Sequence, residues 1–169
     1  MSTKQITIPQ DFILGAAASA WQTEGWRGKK PGQDSWIDLW YKNDRHVWHN
    51  GYGPAVATDF INRFREDVAL MKQAGLTHYR TSINWSRFLT DYENATVDEE
   101  YAAYYDALFD EMHRQGIEPM ICLEHYELPG ALLEKYGAQA VFVFNDRSVR
   151  VTGSLADSFK LEKDGFKLL

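Results

Sequence analysis

The chain has 169 residues, 44% of them hydrophobic and 25% charged, a make-up that fits one soluble globular domain. Its formal net charge of -6 excludes a general affinity for nucleic acid or anionic membrane, because no surplus of Lys or Arg remains to neutralise phosphates. No stretch approaches the ~20 apolar residues of a membrane span and residues 1–9 hold no signal-like apolar run, so the expected location is cytoplasmic and the expected partner a small molecule such as a sugar.

The first predicted element is a strand over residues 12–20, short, apolar and rich in small residues, which suits close packing on both faces. It carries Trp21, Gln22 and Glu24 to its end. Residues 28–54 read as a long loop punctuated by glycine and proline, with one short helix over 34–41. All six tryptophans precede residue 86, and Trp21, Trp26, Trp36, Trp40 and Trp48 crowd into this region. Such rings suit a saccharide cleft, and equally a loop pinned by its own aromatics.

From Thr58 the residues Phe60, Ile61, Phe64, Val68 and Met71 recur at helical spacing, and Gly75 ends that helix. A strand over 77–83 follows, ending near Arg80 and Ser82, with Trp85 and Arg87 directly after it. Thr96 and Glu99 have the form of a capping box, which predicts a helix from Thr96 to Gly116 with Tyr101, Tyr104, Tyr105, Leu108 and Met112 on one face. A third strand over 118–123 delivers Glu124 and His125, and a short helix over 129–136 and a strand over 140–144 complete the readable pattern. The remaining residues show no period. Strands alternating with helices in this way predict parallel strands joined by right-handed crossovers. Cys122 lies in an apolar run and reads as a buried structural thiol.

Functional residues of parallel α/β folds gather at the carboxyl ends of strands. The residues delivered there are Gln22 and Glu24, then Arg80 with Trp85, then Glu124 and His125. A Gln beside a His offers neutral donors and acceptors for sugar hydroxyls, and an Arg can hold a carboxylate. Each also has a purely structural reading: Arg80 as an ion-pair partner, His125 as a core histidine, Gln22 as a strand-end cap. Glu24 and Glu124 could formally supply the two carboxyl groups of a glycosidase, although nothing else marks either as acid or nucleophile. His46 and His49 lack the further ligands of a metal site, and no phosphate-cradling glycine motif is present.

At these residues the chain resembles a family. Four blocks carry the likeness, in order and at sensible spacing, over about residues 8–137. They are Phe12-Ile-Leu-Gly-Ala-Ala-Ala-Ser-Ala-Trp-Gln-Thr-Glu-Gly25; Asp59 with Arg65-Glu-Asp67 and Met71-Lys-Gln-Ala-Gly75; Tyr79-Arg-Thr-Ser-Ile-Asn-Trp-Ser-Arg87; and Ile117-Glu-Pro-Met-Ile-Cys-Leu-Glu-His-Tyr-Glu-Leu-Pro129. Together they are similar to the N-terminal third of family 1 glycoside hydrolases. The segments Gln33-Asp-Ser-Trp36 and Asp38-Leu-Trp-Tyr-Lys-Asn-Asp-Arg45 look most like those of bacterial 6-phospho-β-glucosidases and 6-phospho-β-galactosidases. The resemblance implies an α/β fold, a partial (β/α)8 TIM barrel made of its first three to four βα units. It further implies a retaining β-glycosidase acting on phosphorylated β-disaccharides, with Gln22, His125 and Trp85 at the sugar, Arg80 beside the nucleophile, and neither metal nor organic cofactor.

After Lys135-Tyr-Gly137 the likeness stops, so the expected organisation is a barrel part over residues 1–137 and a non-matching tail over 138–169, frameshifted or weakly ordered. The family's acid/base motif of Thr-x-Asn-Glu-Pro type, its nucleophile motif of Glu-Asn-Gly type and its phosphate-binding loop have no counterpart in these residues. The chain alone is therefore expected to hydrolyse little. Two alternatives remain: a non-catalytic saccharide-binding module, or a subunit that completes its barrel with a separately encoded C-terminal barrel fragment.

Overall fold

The computed structural model describes residues 7–136 and the strand residues 140–144, 147–151, 159–162 and 165–168. Strand β1 (Gly15–Ala17) turns into the short helix α1 (Ala20–Thr23), and a long loop then holds α2 (Trp36–Asn43). Helix α3 (Phe60–Gln73) leads to β2 (His78–Ser82), α4 (Trp85–Phe88) and a small hairpin of β3 (Leu89–Asp91) and β4 (Thr96–Val97). Helix α5 (Glu99–Arg114) returns the chain to β5 (Glu118–Cys122), and α6 (Gly130–Tyr136) follows.

Strands β1, β2 and β5 form one parallel sheet in that order, with Ala17, Arg80 and Met120 in register. This is the opening of a (β/α)8 barrel, and no closed barrel forms among the described residues. Successive side chains of a strand point to opposite faces, so Tyr79 meets the helices while Arg80 looks the other way. Tyr79 packs with Phe60, Phe64 and Val68 of α3, with Tyr101, Tyr105, Leu108 and Met112 of α5, and with Ile117. Burying each of these large side chains contributes about 1.5–3 kcal/mol, and the two crossover helices are held on the sheet chiefly by this seam.

Local chemistry fixes the long loop. Ser35 caps α2 by accepting from the Asp38 amide while Asp38 accepts from the Ser35 amide, a reciprocal capping box. The Asp38 carboxylate also takes the Trp26 Nε1–H at 2.5 Å and an ion pair from Lys29, which folds the loop back on its own helix. Gly25 turns at φ +78 with Val56 O only 2.5 Å from where a Cβ would sit, so glycine alone fits there.

Three expectations need correction, and a fourth strand is found where expected but outside the parallel sheet. The strand expected over 12–20 is reduced to Gly15–Ala17, and its residues are exposed rather than packed on both faces; among the described residues it is an edge strand beside β2. The second long helix begins at Glu99, not at Thr96: Thr96 pairs in the hairpin, and the Asp98 carboxylate accepts from the Tyr101 amide as the cap. Cys122 is only half-buried, its Sγ 3.0 Å from the Glu124 carbonyl. The strand expected at 140–144 exists as β6 (Ala140–Phe144), but it joins β7 (Arg147–Val151), β8 (Phe159–Glu162) and β9 (Gly165–Leu168) in a separate sheet of order β6-β7-β9-β8. The parallel sheet therefore has three strands, the lower end of the expected range.

Candidate functional site

The carboxyl ends of β1, β2 and β5 bring Arg80 and His125 together. Arg80 is half-buried in β2 and donates through Nη1 to the Ala18 carbonyl at 2.8 Å. The same Nη1 lies 3.5 Å from His125 Nδ1. A guanidinium can only donate, so the contact, long as it is, favours the tautomer with a bare Nδ1 and the proton on Nε2. Burial and the nearby Arg80 charge both hold the His125 pKa below its ordinary value. The imidazole is thus neutral near pH 7, with Nε2–H left as a donor. Gln22 sits on α1 with its side chain exposed. Trp85 is half-buried, and its Nε1–H is committed to the Leu123 carbonyl at 2.5 Å, so it offers a ring face rather than a donor.

One residue that sequence reasoning missed ties these positions together. Glu127 is 0% exposed. Its Oε1 accepts from Ser82 Oγ at 2.7 Å and from the Trp21 amide at 3.1 Å, and its Oε2 accepts from the His125 amide at 3.1 Å. Ser82 Oγ in turn accepts from the Ala20 amide at 2.8 Å. Glu127 therefore joins the segments that follow all three strands of the sheet. Burial pushes its pKa up to about 8, against the opposing hydrogen bonds from Ser82 and Trp21. The only signal in the sequence was a carboxylate two residues beyond His125, in a segment without period.

The formal pairing of Glu24 with Glu124 fails on placement. Glu24 is 2% exposed and lies under α5, where it accepts from the Tyr101 hydroxyl and, at 3.1 Å, from the Tyr105 hydroxyl. Burial raises its pKa, and the tyrosine bonds only partly oppose that. It is a clamp between α1 and α5, enclosed by protein. Glu124 is half-buried, and its Oε1 accepts from the Tyr126 amide at 2.8 Å. Burial raises its pKa as well. Among the described residues no group of three or more His, Cys, Asp or Glu side chains is gathered as a metal site.

The tryptophan cluster both pins the loop and lines a hollow. Trp26 is fixed to Asp38, and Trp36 stacks on Trp40 with ring centroids 5.7 Å apart. Yet Trp21, Trp36, Trp40, Trp48 and Tyr126 also line a concavity of about 410 Å³. It begins beside the rim, since the Tyr126 ring lies 5.3 Å from His125 and 5.6 Å from Trp36. Flat apolar walls of this kind accept the C–H face of a sugar or an aromatic ring.

Comparison with known proteins agrees with this architecture. The 6-phospho-beta-glucosidase GmuD of Bacillus subtilis (strain 168) is 36% identical over 131 residues, 77% of this chain and 28% of that protein. Beta-glucosidase 17 of Arabidopsis thaliana is 38% identical over 137 residues, 80% of this chain and 26% of its own length. Among solved structures, a GH1 beta-glucosidase from the fungus Humicola insolens in complex with glucose matches with a TM-score of 0.70 at 33% identity, covering 79% of this chain and 28% of that one. The chain thus spans little more than a quarter of the length of these relatives. With three parallel βα units in place and residues 4–149 matching the model of glycosyl hydrolase family 1, the chain belongs to that family.

Proposed function

We propose that this chain carries the sugar-holding wall of a retaining β-glycosidase site whose substrates are 6-phosphorylated β-glucosides. The observation that supports this most is the meeting of Arg80 and His125 at the ends of adjacent parallel strands, with Gln22 on α1, the helix that follows β1. In this reading the Gln22 amide and the His125 Nε2–H bind hydroxyls of one sugar ring, Arg80 holds the carboxylate of a nucleophile, and Trp85 presents a ring face. The aromatic concavity lies next to that ring and takes the second ring of the substrate. The phosphorylated substrate rests on the likeness of residues 33–45 to phospho-glycosidases and on relatives such as GmuD, while a plain beta-glucosidase is equally similar. A cytoplasmic location goes with that substrate, because a charged sugar phosphate does not cross a bilayer unaided. No helix among the described residues is long and apolar enough to cross a membrane.

A retaining site needs two carboxyl groups ~5–5.5 Å apart on either side of the scissile bond. Glu24 and Glu127 are enclosed, and neither family glutamate motif occurs in these residues, so the chain by itself is a binder. The proposed boundary near residue 137 is supported by the strands beyond it, which among the described residues pair with one another, while the family match runs on to residue 149.

Calorimetry tests the reading. The chain is expected to bind cellobiose 6-phosphate and glucose 6-phosphate, and Gln22→Ala to weaken that binding by about 10-fold, the worth of one hydrogen bond. No binding of either removes the sugar site. A chromogenic phospho-β-glucoside is expected to be cleaved no faster than background, and turnover at ordinary enzyme rates would refute the binder assignment.

A further inference from the structure

We propose that Glu127 is a positioning residue that locks Gln22 and His125 into one sugar-binding rim. This rests on the sugar-binding reading given above, and it names the group that holds that wall in shape. The two binders come from distant parts of the chain, and no contact between their side chains links them directly. What links them is one carboxyl group. Glu127 takes the amide of Trp21, the residue immediately before Gln22, at 3.1 Å, and the amide of His125 itself at 3.1 Å. The bond from Ser82 Oγ at 2.7 Å anchors the same carboxyl to the end of β2, the strand that carries Arg80.

The bland alternative is a buried polar residue that merely satisfies its surroundings. Three features argue against it. A fully enclosed carboxyl is costly to bury, and the site retains it where an apolar side chain would cost less. Its acceptors are divided, with Oε1 serving the β1 and β2 ends and Oε2 serving the β5 end, so both oxygens are needed. Its protein donors at the rim are the backbone groups that set where Gln22 and His125 begin, and not groups of the core.

An amide at this position has one acceptor oxygen, and its NH₂ would face an N–H donor whichever way it turned. Glu127→Gln must therefore release either the Trp21 end or the His125 end. Glu127→Asp keeps both acceptors but is shorter by one methylene, so a partial rescue is expected.

Two measurements decide the matter. In the ligand-free chain followed by nuclear magnetic resonance, the amide protons of Trp21 and His125 are expected to share one titration midpoint, that of Glu127, beside any further step that the His125 imidazole or Glu124 adds at the His125 amide. The absence of a shared midpoint, or no titration of either, would overturn the proposal. This readout needs neither a variant nor a sugar. In binding, Glu127→Gln is expected to weaken affinity for glucose 6-phosphate about 10-fold, as loss of one hydrogen bond would, with Glu127→Asp intermediate. In a Gln22→Ala background the same substitution should cost clearly less, since part of its effect runs through Gln22. Full additivity would refute positioning while leaving the sugar site standing. If the unaltered chain binds no sugar, the sugar reading falls, and the shared titration alone decides whether Glu127 couples the two segments.

Discussion

Glu127 makes the stability of the fold depend on pH in a defined direction. Its folded pKa of about 8 lies above the ordinary 4.5, so the folded state holds the proton more tightly than the unfolded chain does. The stability linked to this group is fully present below about pH 4.5 and is lost as pH rises through about 8, at up to about 1.4 kcal/mol per pH unit. Glu24 and Glu124 are shifted the same way by burial, so all three slopes have one sign, opposed in this range by His125, whose pKa is lowered. Urea unfolding followed from pH 5 to 8 should show midpoints that fall with pH, and Glu127→Gln should flatten that fall. An unchanged slope in the variant would mean that Glu127 ionises freely in the folded chain. The places of Arg80 and His125 at adjacent strand ends were legible in the sequence because β2 and β5 have clear patterns, whereas Gln22 was expected at a strand end and lies on α1. Glu127 was not legible, because its burial is created when residues 124–129 fold back beneath α1, a contact that no local period encodes.

At the scale of elements, the positions that matter most are the starts of helices. Asp98 caps α5 and is also held by Lys30 at 2.6 Å and by the Gln33 amide at 3.2 Å, so one carboxylate joins the helix start to the long loop. Lys30 keeps its pKa below the usual carboxylate range. Asp98→Ala is expected to destabilise by about 1–2 kcal/mol, and a thermal melt should show it, whereas Thr96→Ala should have little effect. Gly53 offers a second test. A Cβ there would stand 2.3 Å from the Tyr41 ring, so Gly53→Ala should cost about 1–3 kcal/mol through overpacking, and Tyr41→Leu in the same chain should recover part of it. The sequence suggested Thr96 because its pairing with Glu99 has the right spacing. The hairpin claimed Thr96 first, and Asp98 is the next side chain able to cap.

On the scale of the whole molecule, the parallel sheet has two unpaired edges among its described residues, on β1 and on β5. Around them Phe12 is 56% exposed, Ile13 60%, Met120 51% and Leu123 44%, a concentration of apolar surface that soluble monomers seldom tolerate. Sedimentation should reveal concentration-dependent association, reduced when Ile121 on the β5 edge is replaced by Lys. A single monomeric boundary at every concentration would show that the edges are shielded. The alternation of strands and helices made this architecture readable in advance, since each crossover helix carries its own apolar stripe. The separate sheet beyond residue 137 was hidden, because its strands are only four or five residues long, too short for even the alternating Phe159–Glu162 to announce a strand. The bond between the Trp21 amide and Glu127 has one more implication, for the order in which the molecule is made. It spans 106 residues, so at a synthesis rate of ~5–20 residues per second the first rim segment waits roughly 5–20 s for its acceptor. During that interval the N-terminal turn has emerged from the ribosome without the group that fixes it, and the last of the three rim segments to be translated completes the other two.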